Sequence, residues 1–431
     1  MFSYHRDHRS MSRSRRMTAL FLCLVFLLGS LAGCGSAGGE IGIVTETAEE
    51  TAAVRYKEDV VTTYAMPERS SFVRVNTVGY MTDGSKMVWF DGARAVEDFE
   101  VLDAETGLSM GTYKSYVDEN GLTCGNFTAM DTPGTYRIHS DAVGYSETFT
   151  VSDNPYEDYI PELYTALEEG ATDYETILIL LEIYEWDEDH CGDDYGLRFS
   201  GNNLPDILDL VKSMIDRAPE ETTVLNRALK ACALAQFAYF FKDYDSKSAA
   251  AYTEEAEELL KQASGENLTD REAAAVYDAQ CILYRTTERG NYKNAFCEYL
   301  KNNFKGIKNE PLEFFGNMTY LNKRGEYTPT SYMTTLRRDM EDVAVLPMRE
   351  NVCLRAGMDV TEEEYMYNML YLCFFSCISP SYAYQEYLLA GLDYYLGVNE
   401  TGENLAVNEA YAPDPRMQAV MLFMIYELTE D

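Results

Sequence analysis

Cysteine is the residue type whose spacing in this chain first suggests chemistry. Of ten cysteines, Cys373 and Cys377 lie four residues apart inside the apolar run Tyr371 to Ile378. On one face of a helix such a pair can present two thiolates to a metal ion. No histidine stands near to complete the set, so the spacing reads better as two buried core side chains. Cys34 ends the sequence Leu31-Ala32-Gly33-Cys34, a lipobox pattern that makes it the expected site of lipidation. The other cysteines form no CxxC pair, and a chain of this size has no need of disulfide staples. Histidine occurs at 5, 8, 139 and 190, so nothing after residue 190 offers an imidazole as base or ligand. Arg337 and Arg338 form a basic pair that could touch a ligand, but in so acidic a chain they are expected in salt bridges.

The formal net charge is −37 over 431 residues. Residues 1–33 hold five Arg and one Asp, a net +4, so the remainder carries about −41. Such a surface repels nucleic acid and anionic lipid headgroups and leaves a neutral polymer as an acceptable partner. At the N-terminus, Arg13, Arg15 and Arg16 precede the short apolar segment Thr18 to Leu28. Residues 1–34 therefore read as a lipoprotein signal peptide, which predicts export and a lipid anchor on the outer side of a bacterial membrane. No later run approaches the length of about 20 apolar residues needed to span a bilayer. Residues 35–70, rich in Gly, Ala, Thr and Glu, read as a flexible linker.

These groups must be carried by two unlike regions. Across 71–153, short β-rich runs (VRVNTVGY, KMVWF, FEVLD, GTYRI, ETFTV) alternate with DG, ETG, ENG and TPG turns, the spacing of a β-sandwich. Trp89 and Tyr80 are expected in its core or at a domain interface. Across 155–431 the periodicity is helical. Helices are expected at Leu225 to Tyr239, Ser248 to Ala263, Asp270 to Arg285, Asn294 to Asn303, Glu362 to Ile378, Tyr384 to Leu396 and Met417 to Leu428. The acidic runs Glu254 to Glu258 and Glu362 to Glu364 lie near helix starts, where they complement the macrodipole.

Ser200 to Lys212 reads SGNNLPDILDLVK. Ser200, Asn202 and Asn203 are N-cap types, Pro205 suits a first turn, and Ile207, Leu208 and Val211 share a face, so a helix starts here. The segment resembles the SGNGIPDLLDE-type signature of family 9 glycoside hydrolases, the (α/α)6-barrel endoglucanases. VRVNTVGYMTDGSKMVWF (73–90) and FTAMDTPGTYRI (127–138) are similar to the immunoglobulin-like domain that precedes the barrel in one branch of that family. Residues 226–263 and 270–292 resemble its paired helices. The resemblance implies a multidomain β + α chain: an N-terminal immunoglobulin-like β-sandwich followed by an (α/α)6-barrel, or six-hairpin glycosidase-like, domain. Twelve helices fit in residues 155–431 when connections are short.

The resemblance also implies chemistry. Family 9 enzymes invert the anomeric centre with a carboxylate base and a carboxylic acid roughly 6.5 to 9.5 Å apart. GATDYETILILLEIYE (170–185) is similar to the family's DAGDYGKY segment and sets Asp173 on the base, with Gly170 where the first aspartate stands. CGDDYG (191–196) offers an alternative through Asp193 or Asp194, although it leaves no room for the helix that should precede Ser200. VNEAYAPDPRMQAVMLFMIYEL (407–428) resembles the family's terminal NEVAIDYNA segment and sets Glu409 on the acid. LDYYLGVNETG (392–402) resembles DYLLGRNPTG, and the HHR signature expected between these two segments is missing. Trp89 and Trp186 are the only tryptophans, so 34 tyrosines are the main candidates for sugar stacking. No cofactor is expected; the family's calcium is possible, without ligands that can be named. The reading is a family 9-like protein of polysaccharide degradation acting on a β-1,4-glucan of cellulose type, its partner a polysaccharide or oligosaccharide. The alternatives are a catalytically inactive glycan-binding relative and a structural cell-envelope scaffold. The oligomeric state is left open.

Overall fold

The computed structural model describes residues 65 and 67–429, apart from 93–95, 119–120, 187–194, 202, 219–220, 266, 323–329, 345–360, 379, 409 and 411. Cys34, Glu409, Asp193 and Asp194 lie outside the described residues.

The first domain has nine strands: β1 Val73–Arg74, β2 Gly79–Met81, β3 Met87–Phe90, β4 Asp98–Asp103, β5 Ser109–Val117, β6 Thr123–Asn126, β7 Gly134–Ser140, β8 Gly144–Tyr145 and β9 Phe149–Ser152. Their order is β1-β3-β6-β5-β4-β7-β9-β2, with β8 on β7. β5 serves both layers: Ser109 to Lys114 pair with β4, and Ser115 to Val117 pair with β6. The curled sheet closes over a core that includes Val88, Phe99, Val101, Phe127, Ile138, Phe149 and Val151. Tyr80 sits at its centre, its ring edge-on to Phe127 and Phe149 at centroid distances of 5.1 and 5.2 Å. Its hydroxyl donates to the Met87 carbonyl and accepts from the Asn76 N–H, so a buried phenol is satisfied on both sides. β5 was not evident in the sequence because its outward positions are exposed, Met110 and Tyr116 among them, which removes the apolar alternation.

The second domain has twelve helices among the described residues: α1 Ile160–Glu169, α2 Tyr174–Trp186, α3 Asp206–Arg217, α4 Val224–Phe241, α5 Ser246–Ala263, α6 Asp270–Thr287, α7 Gly290–Asn302, α8 Glu313–Asn322, α9 Thr330–Ala344, α10 Glu362–Ile378, α11 Tyr382–Tyr395 and α12 Pro415–Thr429. The even-numbered helices form a closed inner ring. α2 packs on α4, α4 on α6, α6 on α8, α10 on α12, and α12 back on α2. Phe314 of α8 meets Tyr371 and Phe374 of α10 at 5.3 and 6.1 Å. Inner helices are buried on nearly every side and mostly apolar: in α12 every residue from Met417 to Leu428 is buried. Outer helices are amphipathic, with only four buried residues in α5.

Helix starts follow local rules. Thr269 and Glu272 form a capping box on α6, and Thr361 with Glu364 makes the same reciprocal pair before α10. At α3 the N-cap is Pro205, and Ser200 is used differently from expectation. Its N–H and hydroxyl both donate to the buried Asp209 carboxylate of the helix, while Asp206 accepts from the Tyr195 N–H and from Arg198. Two buried carboxylates thus tie the loop before α3 onto the helix.

The sandwich docks on the C-terminal turn of α11 and the segment that follows it. Asn76 Nδ2 donates to Asp393 Oδ1 at 2.9 Å in a buried contact, the Thr77 N–H donates to the Leu396 carbonyl at 2.8 Å, and the Arg74 guanidinium donates to the carbonyls of Glu400 and Thr401. Met87, Trp89 and Cys124, on strands of the sandwich, belong to the helical core, which makes Trp89 an interface residue. Gly397 has φ +135°, and a Cβ there would strike the Val75 carbonyl, so only glycine lets the two backbones approach this closely. The buried Asn399 amide donates to the carbonyls of Tyr394 and Glu403. Its Oδ1 accepts from the Thr401 and Gly402 N–H groups and fixes the turn.

Candidate active site at the barrel mouth

The inner helices run parallel and bring their N-terminal turns to one end of the ring. The second residue in each of α2, α6, α10 and α12 is charged: Glu175, Arg271, Glu363 and Arg416. Asp173 precedes α2, its carbonyl accepting from the Ile177 N–H. Its Oδ1 accepts from the Glu175 N–H at 3.0 Å, an N-cap geometry that fixes the carboxyl plane. Oδ2 is approached by Arg416 Nε at 3.7 Å, and the Asp173 side chain keeps 36% of its surface open.

Around it lies a shared ion network. Arg416 meets Glu363 at 3.2 Å, Asp414 at 2.8 Å and Glu175 at 3.6 Å. Arg271 meets Glu175 at 2.7 Å, Glu363 at 3.5 Å and Glu310 at 3.9 Å. The Tyr367 hydroxyl donates to Glu175 Oε2 at 2.6 Å. Five carboxylates therefore share two guanidiniums. Both arginines are held protonated more firmly than usual by these neighbours, against the opposing effect of burial.

Asp173 is pushed up to about 6, chiefly by its recessed position and then by the charge of Glu175. The Glu175 N–H and Arg416 oppose the rise, and Asp414 adds to it. Glu310 is also raised, by burial first. A carboxylate that is partly open, oriented by a backbone N–H and raised toward neutrality is suited to accept a proton from water.

Of the residues expected at the site, Asp173 stands at this mouth, and the remaining catalytic candidates lie outside the described residues. Gly170 is the C-cap of α1, its N–H donating to the Ala166 carbonyl. No side chain there can supply a second carboxylate. Trp89 is buried, and Trp186 packs edge-on against Phe374 at 4.9 Å. Cys373 is buried, and the Cys377 thiol donates to Glu427. Among the described residues no group of three or more His, Cys, Asp or Glu is arranged to hold a metal ion. No described helix is long and apolar enough to cross a membrane.

Arg271, Arg416, Glu175, Glu363 and Tyr367 were not singled out from the sequence as site residues. The available signal was a charged residue at the first turn of an otherwise apolar helix, repeated in DYETILILL, DREAAAVY, EEEYMYNML and DPRMQAVML. Only the ring closure brings those turns together.

Comparison with known proteins agrees with this architecture. Residues 68–145 match the cellulase N-terminal ig-like domain. The chain is similar to a metagenome-derived glycoside hydrolase family 9 endoglucanase, with a TM-score of 0.68 at 17% identity over 83% of this chain and 98% of the other. A family 9 protein of Bacteroides ovatus gives 0.62 at 15% identity over 83% and 99%. AaCel9A, in complex with a cellobiose-like isofagomine, gives 0.63 at 13% identity over 83% and 100%. No curated protein matches the chain by sequence. At these identities the structural likeness is one of fold. By that fold and by its N-terminal module, this is a protein like the family 9 glycoside hydrolases, an Ig-like sandwich joined to an (α/α)6 barrel.

Proposed function

We propose that the protein hydrolyses a β-1,4-linked glucan-type polysaccharide at the barrel mouth with inversion, while anchored by a lipid on Cys34 to the outer side of a bacterial membrane. Asp173 is the general base and Glu409 the general acid. The observation that carries this reading is the Asp173 carboxyl, fixed through Oδ1, partly open to solvent and raised to about 6. Its water attacks the anomeric carbon from the face opposite the leaving oxygen, Asp173 takes the proton, and Glu409 protonates that oxygen. AaCel9A, of the same fold, has been seen with a cellobiose-like ligand, which supports a β-glucan as the substrate class.

The test is reducing-sugar release from β-glucans, xylan and glucomannan by the chain begun after Cys34, beside Glu409→Gln and Asp173→Asn. Hydrolysis lost in both variants, with the product anomer inverted in a proton NMR time course, supports the reading. Turnover unchanged in either variant overturns that residue's role. Cys34→Ser is expected to move the full chain from the membrane to the soluble fraction.

A second reading, a glycan-binding relative without hydrolysis, is favoured by Gly170, since the family pattern has a water-orienting aspartate there. It predicts retention of the same glycans on affinity gels with no sugar release.

A further inference from the structure

We propose that Arg416 is a positioning residue for Asp173, tying the start of α12 to the starts of α2 and α10 and holding the Asp173 carboxylate ionised and turned toward the mouth. The inference rests on the reading of Asp173 as the base. Arg416 lies in the first turn of α12, where it reaches groups at the starts of α2 and α10.

The geometry is specific. The Arg416 guanidinium is fixed by Asp414, which accepts from Nε and from Nη2 at 2.8 Å, and by Glu363, which accepts from Nη1 at 3.2 Å. With two edges anchored, the group is not free to swing onto Asp173 and form a bidentate pair. It remains at 3.7 Å from Oδ2, beyond hydrogen-bond length, where it exerts charge without consuming the lone pair that a water needs. A direct guanidinium fork would satisfy Asp173 and silence it as a base. A missing guanidinium would leave Asp173 facing Glu175 and Asp414 alone.

The groups facing Asp173 can each be placed. Glu175 belongs to its own helix, while Arg416 and Asp414 come from the start of α12. Glu363 of α10 and Arg271 of α6 act through Glu175 and Arg416. Removing Arg416 deletes a cation in direct approach and should raise the Asp173 midpoint by about one pH unit.

Carbodiimide labelling of Asp173 as a function of pH, read by peptide mass spectrometry, measures this without turnover, because only the protonated carboxyl reacts. In the wild type the labelling midpoint is expected near 6. In Arg416→Gln it is expected to move up by about one unit, and in Arg416→Lys to return most of the way. Arg416→Met serves if the Gln variant does not fold. A midpoint that stays put in a folded neutral variant, or that Lys does not restore, overturns the proposal. If sugar release is measurable, the acid limb of kcat/KM should follow the labelling midpoint. A labelling shift without hydrolysis in any variant keeps the Arg416 coupling and removes the base role, so the two failures are distinguishable.

Discussion

The seam between the domains and the mouth of the barrel use charge in opposite ways. At the seam the main polar contacts are buried or part-buried and specific: Asn76 with Asp393, Arg74 with the carbonyls of Glu400 and Thr401, Asn399 with its own turn. At the mouth five carboxylates share two arginines, the contacts run from 2.7 to 3.9 Å, and Asp173 stays partly open. Leaving a buried partner unsatisfied costs about 1–3 kcal/mol, so the seam demands particular residues in particular places. The mouth is less strictly assigned, because each arginine is shared among several carboxylates, so one contact can be exchanged for another. Motif-like sequence therefore collects where burial is strict, and VRVNTVGY, LDYYLGVNETG and SGNNLPDILD all turn out to be structural joints.

The largest expected effects separate the two regions by kind. Asp173→Asn and Glu409→Gln should each lower kcat by about 10²–10⁴-fold if the mouth is catalytic, with circular dichroism and melting temperature near those of the wild type. Gly397→Ala should do the reverse. It forces a side chain onto the Val75 carbonyl at φ +135°, and strain of this kind costs about 1–3 kcal/mol before any loss of docking contacts. Urea denaturation is expected to lose its single transition as the sandwich detaches. A single transition with an unchanged midpoint would show that the seam does not couple the domains.

Asn76→Ala is a milder cut at the same joint. Asn76 Oδ1 accepts from the Val78 and Gly79 N–H groups, and its Nδ2 donates to Asp393. The substitution leaves two backbone donors without that acceptor and should cost about 2–3 kcal/mol in urea. A loss below about 0.5 kcal/mol would mean that water replaces the amide and that the seam is less dry than its geometry implies.

Much of the fold was legible in residue order. All seven expected helices are present, α10 over Glu362–Ile378 with both ends as anticipated, because apolar runs flanked by capping residues are local signals. The role of Ser200 was less legible, since its choice of Asp209 over the helix N–H groups depends on a buried carboxylate nine residues on, in the first turn of α3. Of the candidate site, only Asp173 was singled out from the sequence. Arg271, Glu363 and Arg416 belong to three separate helices, and their meeting is a consequence of ring closure that no local pattern encodes.

A raised carboxyl does not by itself mark chemistry, and a second carboxyl in the barrel sharpens the contrast with Asp173. Glu182 in α2 is 1% exposed and is pushed up to about 8 by burial and then by Glu185, against Arg285, Gln236 and Trp186. Its Oε1 accepts from Gln236 Nε2 at 2.8 Å, and the residue is sealed from substrate. Its effect should appear in stability instead. The folded midpoint lies above the ordinary glutamate value of 4.5, so the protonated form is the one that folding favours. That contribution is complete below about 4.5 and is lost as pH rises through about 8. Glu182→Gln keeps the hydrogen bond to Gln236 and cannot ionise. Its melting temperature should match the wild type near pH 5 and exceed it by roughly 2–4 °C at pH 9. A wild type and variant that fall in parallel between these two pH values would place a cation or water beside Glu182 and remove the contrast with the open carboxyl at the mouth.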